Sequence, residues 1–139
     1  MKKILAIILT LLMALSLAAC GTKQAGNADG TIKVKDGDTV GTGKTALTVT
    51  ITGADEKTLT VTANTDEKTV GEALETVGII RGEEGPYGIY IKTVNQENHV
   101  YEEDGMYWAF YIDGEYAATG ADMTAADPAF TYAFTAEKG

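Results

Sequence analysis

The chain holds one imidazole, His99, and one thiol, Cys20, so chemistry that needs a cluster of either is out of reach. A single Cys makes neither an internal disulfide nor a multi-Cys zinc site, and one His makes no His-rich catalytic metal centre. No Gly-x-Ser-x-Gly elbow, phosphate-cradling Gly-rich loop or His-Glu-x-x-His pair occurs. What remains is oxygen ligands and aromatic faces. Glu102-Glu103-Asp104 is an acidic run, with Asp113, Glu115 and Asp122 further on. Hard carboxylate oxygens suit calcium, and Glu103, Asp104 and Asp113 are its candidate ligands. The competing reading is an exposed acidic turn that ends at Gly105. His99 would add a nitrogen ligand, although a lone His is more often structural or merely exposed. With no activated nucleophile and its carboxylates read as solvated charges, the chain is expected not to be an enzyme.

The aromatic residues are the second candidate. Seven Tyr, three Phe and one Trp all lie between Tyr87 and Phe134. Met106 to Ile112 reads as a strand, in which Trp108, Phe110 and Ile112 point one way and Tyr107 and Tyr111 the other. With the apolar set turned to the core, Tyr107 and Tyr111 face outward, joined by Tyr116 across the Asp113-Gly114 hairpin. Such a face either stabilises the sheet through cross-strand pairs or recognises a ligand or partner.

These residues must be carried by a framework. Leu47, Val49 and Ile51 alternate with threonines, Gly53 to Lys57 breaks the pattern, and Leu59, Val61 and Ala63 resume it, which predicts a hairpin. Thr69-Val70-Gly71-Glu72 has capping-box spacing, Val70, Ala73, Leu74 and Val77 follow helical spacing, and Gly78 is a natural stop. Gly71 weakens this short helix by ~1 kcal/mol relative to Ala, so it must lean on the sheet. Gly82, Gly85 and Pro86 read as a loop, Ile89 to Val94 as a strand, and Phe130 to Thr135 as the last strand. The order predicts an α+β domain, a mostly antiparallel sheet with one short helix.

The first residues read as an address. Met1-Lys2-Lys3 precedes an apolar run from Ile4 to Leu17, shorter than the ~20 residues that span a bilayer as a helix. Leu17-Ala18-Ala19-Cys20 resembles the lipobox of bacterial lipoproteins, in which the Cys is lipidated and becomes the first mature residue. Residues 1–19 are then a lipoprotein signal peptide, 20–43 the lipidated Cys and a flexible tether, and 44–139 the domain. Asp36-Gly37-Asp38 in the tether reads as a turn, because the later positions of a calcium loop are missing. The chain carries 20 acidic against 11 basic residues, net -9, and losing Lys2 and Lys3 with the leader takes this to -11. That charge disfavours nucleic acid and repels anionic headgroups, so the domain should stand off the extracytoplasmic face of the membrane that its lipid holds.

From Thr69 onward the sequence resembles the transcobalamin-like C-terminal (DUF4430) domain. The resemblance is carried by Thr69-Val70-Gly71-Glu72-Ala73-Leu74, by Tyr107-Trp108-Ala109-Phe110-Tyr111-Ile112-Asp113-Gly114-Glu115-Tyr116, and by Gly120-Ala121-Asp122. Asp113 stands where the family usually has Asn, and Asp127-Pro128-Ala129 replaces its usual Asp-Gly-Asp turn. The resemblance implies a β-grasp-like fold. In vertebrate cobalamin carriers the related domain closes over one side of the corrinoid, and a separate helical domain, absent here, covers the other. It therefore implies a surface lipoprotein that captures cobalamin or another corrinoid, with His99 as candidate axial contact and Tyr107, Tyr111 and Tyr116 as the binding face. A protein-interaction or adhesion module and a calcium-binding surface domain are the alternatives.

Overall fold

Alternation of threonine with aliphatic residues produces the first hairpin. A computed structural model describes residues 30–139, so the leader and Cys20 lie outside the described residues. Strands β2 (Thr45–Thr52) and β3 (Thr58–Thr65) pair antiparallel, Val49 opposite Val61 and Thr50 opposite Thr60. Leu47, Val49, Ile51, Val61 and Ala63 are buried on one face, and Thr48, Thr50, Thr52, Thr58, Thr60 and Thr62 take the other. On its far side β2 pairs in parallel with β9 (Thr131–Lys138), which sets Val49 against Tyr132 and Ile51 against Phe134. Strand β7 (Met106–Ile112) then lies antiparallel to β9, and the two-residue β8 (Glu115–Tyr116) closes that edge. A large sheet results.

Helix α1 (Val70–Val77) covers the buried face of this sheet. Thr69 caps it, its hydroxyl accepting from the Glu72 amide at 3.1 Å, and Gly78 ends it in the left-handed region. Gly71 has a reason to be there that propensity alone does not supply. A Cβ at Gly71 would stand 2.6 Å from the Asp122 backbone nitrogen, so its absence lets α1 seat against the 3-10 turn Ala121–Met123. The Val70 amide donates to the Thr124 carbonyl at 2.9 Å across the same contact.

A second, smaller sheet holds β4 (Ile80–Gly85), β5 (Gly88–Val94) and β6 (Glu97–Asn98) in that order. This corrects the expected loop at Gly82 to Pro86. The glycines sit within a strand that is bulged between Arg81 and Gly82, and Gly82 lets the β5 backbone approach: a Cβ there would meet the Tyr90 carbonyl oxygen at 2.2 Å. A one-turn helix, α2 (Tyr101–Asp104), carries the acidic run. Phe130 lies outside the last strand and is exposed.

The folded unit also begins earlier than residue 44. Val34 and Val40 are buried, and β1 (Thr39–Gly41) pairs in parallel with β3. Asp36-Gly37-Asp38 is the expected turn, fastened to β3 by the Thr60 amide, which donates to Asp36 at 2.8 Å. Residues 31–43 are therefore packed onto the domain, because two well-spaced valines suffice to anchor a short polar segment. The domain is mostly sheet with few helices. Among the described residues no helix is long and apolar enough to cross a membrane.

Candidate functional site

Strand β7 sorts its side chains by alternation. Trp108 and Phe110 are buried, Phe110 stacking on Phe134 with centroids 5.0 Å apart, while Tyr107 and Tyr111 stand half-buried on the opposite face. Asp113 and Gly114 both adopt positive φ, 49° and 83°, the tight turn their pairing predicts. That turn brings Tyr116 opposite Tyr111, the rings perpendicular at 5.5 Å. The Tyr111 hydroxyl donates to the Glu137 carboxylate. This hydrogen bond, helped by burial and by the carboxylate charge, holds the Tyr111 pKa up to about 12. Tyr107 stands opposite Glu137 in register, and burial followed by that same charge raises its pKa.

The three tyrosines do not form one binding face. Strand β8 pairs with only Tyr111 and Ile112, and a cleft of about 330 Å³ opens beyond it. It is lined by Tyr87, Tyr90, Tyr107, Trp108, Phe110 and Tyr116. Tyr111 is outside it, tied to Glu137. Tyr87, 86% exposed at the β4–β5 turn, and Tyr116, 64% exposed, are the aromatic groups most open to a ligand. Tyr87 and Tyr90 escaped the sequence reading, which took their surroundings as a loop and an ordinary strand. Ile89 and Gly120 also line the cleft, and Asp122 fixes them behind it, its carboxylate accepting from the Ile89 amide at 2.9 Å where Gly88 and Gly120 meet closely.

His99 is not available as an axial contact. It is 8% exposed, with Nδ1 2.7 Å from the Asp104 carboxylate and Nε2 2.6 Å from Glu97. Its ring leans on Trp108 at 5.4 Å, and the Trp108 indole N–H donates to the Glu97 carbonyl at 3.2 Å. Two carboxylates, one at each ring nitrogen, are both satisfied only by the doubly protonated imidazolium. Burial, the largest single influence, pulls the His99 pKa down, but the two hydrogen bonds and the neighbouring charges together outweigh it and raise it. The hydrogen bond from His99 is in turn the main cause of the lowered Asp104 pKa.

The calcium set is likewise dispersed. Asp104 precedes β7 and Asp113 follows it, and a strand of that length at ~3.3 Å per residue holds them about 20 Å apart. Asp104 is occupied by His99 and by the Met106 amide, Asp113 by the Thr131 amide, and Glu103 is exposed. Among the described residues no three His, Cys, Asp or Glu side chains converge to hold an ion. Sequence proximity misled here because an extended strand separates its two ends maximally.

The solved structure of a protein from Ruminococcus gnavus ATCC 29149, described as a "putative metal binding protein", matches 69% of this chain and 99% of its own length, at 30% identity and a TM-score of 0.64. The chain belongs to the family of that protein. Its fold also resembles part of haptocorrin, solved in complex with Cbi, at 16% identity and a TM-score of 0.53. That match covers 68% of this chain and only 25% of haptocorrin, and at such identity it speaks for the fold alone. No protein-family model and no curated protein sequence matches the chain.

Proposed function

We propose that the protein is a non-catalytic binding module, held by lipid on Cys20 at the outer face of a bacterial cell membrane, that captures a small ligand in the aromatic cleft beside β7. The observation that carries this reading is the cleft itself: six aromatic side chains from two sheets around about 330 Å³, with Tyr87 and Tyr116 largely exposed. Aromatic faces bury flat apolar area while their hydroxyls still find hydrogen bonds, so they can recognise without chemistry. A corrinoid is the leading ligand, on the transcobalamin-like, β-grasp resemblance and the fold shared with part of haptocorrin. His99 does not suit an axial role with both nitrogens engaged, so the contact would be made by the rings. The metal binding ascribed to the Ruminococcus gnavus relative would, in this chain, come through the ligand, as cobalt does in a corrinoid, since no carboxylates converge among the described residues.

Calorimetry with cobalamin and cobinamide should give saturable heat with wild type. The Tyr87→Ala, Tyr116→Ala variant, changed only at exposed rings, should bind at least about tenfold more weakly. No heat with either compound removes the corrinoid reading, and equal affinity of the variant for whatever binds removes the cleft.

Anchoring has its own test. Because Leu17-Ala18-Ala19-Cys20 matches the lipobox, Cys20→Ser should leave the chain unprocessed or move it from the membrane fraction to the medium. Normal cleavage with undiminished membrane association would refute the anchor.

A further inference from the structure

A second cavity, of about 310 Å³, shares Trp108 with the tyrosine-lined cleft and otherwise has a different lining. Its floor is apolar: Val34, Ile51, Leu59, Val94 and Trp108. Its rim carries Lys33, Lys35 and Lys57, three of the chain's 11 basic residues, in a chain of net charge -9. The backbone explains why they gather. Asn95, in the β5–β6 turn at φ 52°, clamps Val34 from both sides: its side-chain oxygen accepts from the Val34 amide at 2.6 Å and its amide nitrogen donates to the Val34 carbonyl at 3.3 Å. With Val34 drawn inward at 2% exposure, its neighbours Lys33 and Lys35 are left exposed at the rim. Lys57 comes from the far wall, at the end of the β2–β3 loop.

Two carboxylates share the rim, and neither is ion-paired with these lysines. Asp55 accepts from the Lys57 backbone amide at 3.0 Å, and Glu97 is bound to His99 and to the Ala54 amide at 2.9 Å. No ion pair joins Lys33, Lys35 or Lys57 to a carboxylate among the described residues. Three lysines against two carboxylates, one of them held by His99, thus leave the rim of this apolar cavity net positive on an acidic protein. The volume is at the small end of ligand clefts, ~300–1,000 Å³.

We propose that this cavity is a second binding site, separate from the tyrosine-lined cleft, for a small organic anion: a carboxylate or phosphate on a flat apolar body of ring size. The head pairs with the lysines, and the body lies on Val94, Leu59 and Trp108. Charge selects the ligand, and the apolar floor rejects a bare ion.

Trp108 is the chain's one tryptophan and lines both cavities, so its fluorescence reports binding and the variants below say at which cavity. The full chain is titrated with phenylphosphate, phenylacetate, inorganic phosphate and benzylamine. At least one aryl anion should give a saturable change, and the stronger of the two identifies the head group. Inorganic phosphate should bind at least about tenfold more weakly, having no body to bury. Benzylamine should give no change. Reversing two rim charges in Lys33→Glu, Lys57→Glu should weaken the aryl anion by at least about tenfold. Lys44→Glu, which makes the same kind of change at the other end of β2, should leave it as in wild type, as should Tyr87→Ala, Tyr116→Ala in the tyrosine cleft. The site is refuted if neither aryl anion binds, if benzylamine binds as tightly, or if the lysine double variant matches wild type. Corrinoid binding is unaffected by any of those results, so the two sites stand or fall separately.

Discussion

Trp108→Ala should lower the melting temperature by roughly 12–20 °C, the largest effect expected of any single substitution in the domain. Removing a buried Trp costs ~3–5 kcal/mol, out of a total stability that for a domain of this size is commonly ~5–15 kcal/mol. Three consequences add here. The indole is 6% exposed, so its loss leaves a cavity where the two sheets meet. The Glu97 carbonyl loses its 3.2 Å donor. The His99 ring loses the surface it leans on, and with it part of the geometry that presents both nitrogens to carboxylates. Trp108→Phe, which keeps a ring without the N–H, should lose much less. Calorimetric melting checks both variants. An unchanged melt for Trp108→Ala, combined with lost ligand affinity, would make Trp108 a surface residue and reverse the assignment of β7's two faces.

The second large effect is a dependence on alkaline pH centred on His99. Its folded-state pKa lies above the ordinary histidine value of ~6.5, because two carboxylate hydrogen bonds outweigh the burial that pulls it down. A group whose pKa is raised by folding contributes stability that is fully present below the unfolded value. That contribution is lost as pH climbs from about 6.5 through the folded pKa. The melting temperature should therefore fall as pH climbs above about 6.5, and in His99→Gln this alkaline fall should vanish. Asp104 works in the opposite sense. Its pKa is depressed, chiefly by His99, so its share is present above the ordinary Asp value and lost as pH drops through the folded one. Because His99 is the chain's one imidazole, a proton NMR titration reads it without assignment. A midpoint at or below ~6.5 would contradict the clamp.

Much of this architecture was legible because its signals are local. The Thr48-Val49-Thr50-Ile51 alternation, the Thr69 cap with its Gly78 stop, and the Trp108/Tyr107 alternation each lie within one element, and each element formed where its pattern stood. The second sheet was not legible. Its first strand runs Ile80-Arg81-Gly82-Glu83-Glu84-Gly85, a composition that reads as a loop, and only the close approach of β5 gives Gly82 its purpose. Strand β1 was hidden for a related reason: three residues carry no periodicity, and its partner β3 lies beyond an intervening strand. Of the three tyrosines, Tyr107 and Tyr116 line the cleft, whereas Tyr111 is tied to Glu137, which lies on another strand. His99 offered a clue that went unread. The acids that hold it, Glu97 and Asp104, are its near neighbours in sequence, and an imidazole so flanked is more readily clamped than free.

The parallel pairing of β2 with β9 also sets a timetable for folding. A chain emerging from its N-terminus forms the β2–β3 hairpin early, since its contacts are short-range. The neighbour that completes β2 lies more than half the chain away, so the free edge of β2 stays unpaired until β9 brings Tyr132 and Phe134 alongside Val49 and Ile51. Pairings of such long sequence separation close slowly, and an open strand edge in the meantime is a template for another chain. Thr48, Thr50, Thr52, Thr58, Thr60 and Thr62 keep one face of that waiting hairpin wettable, which limits what it can stick to before the last strand locks it in.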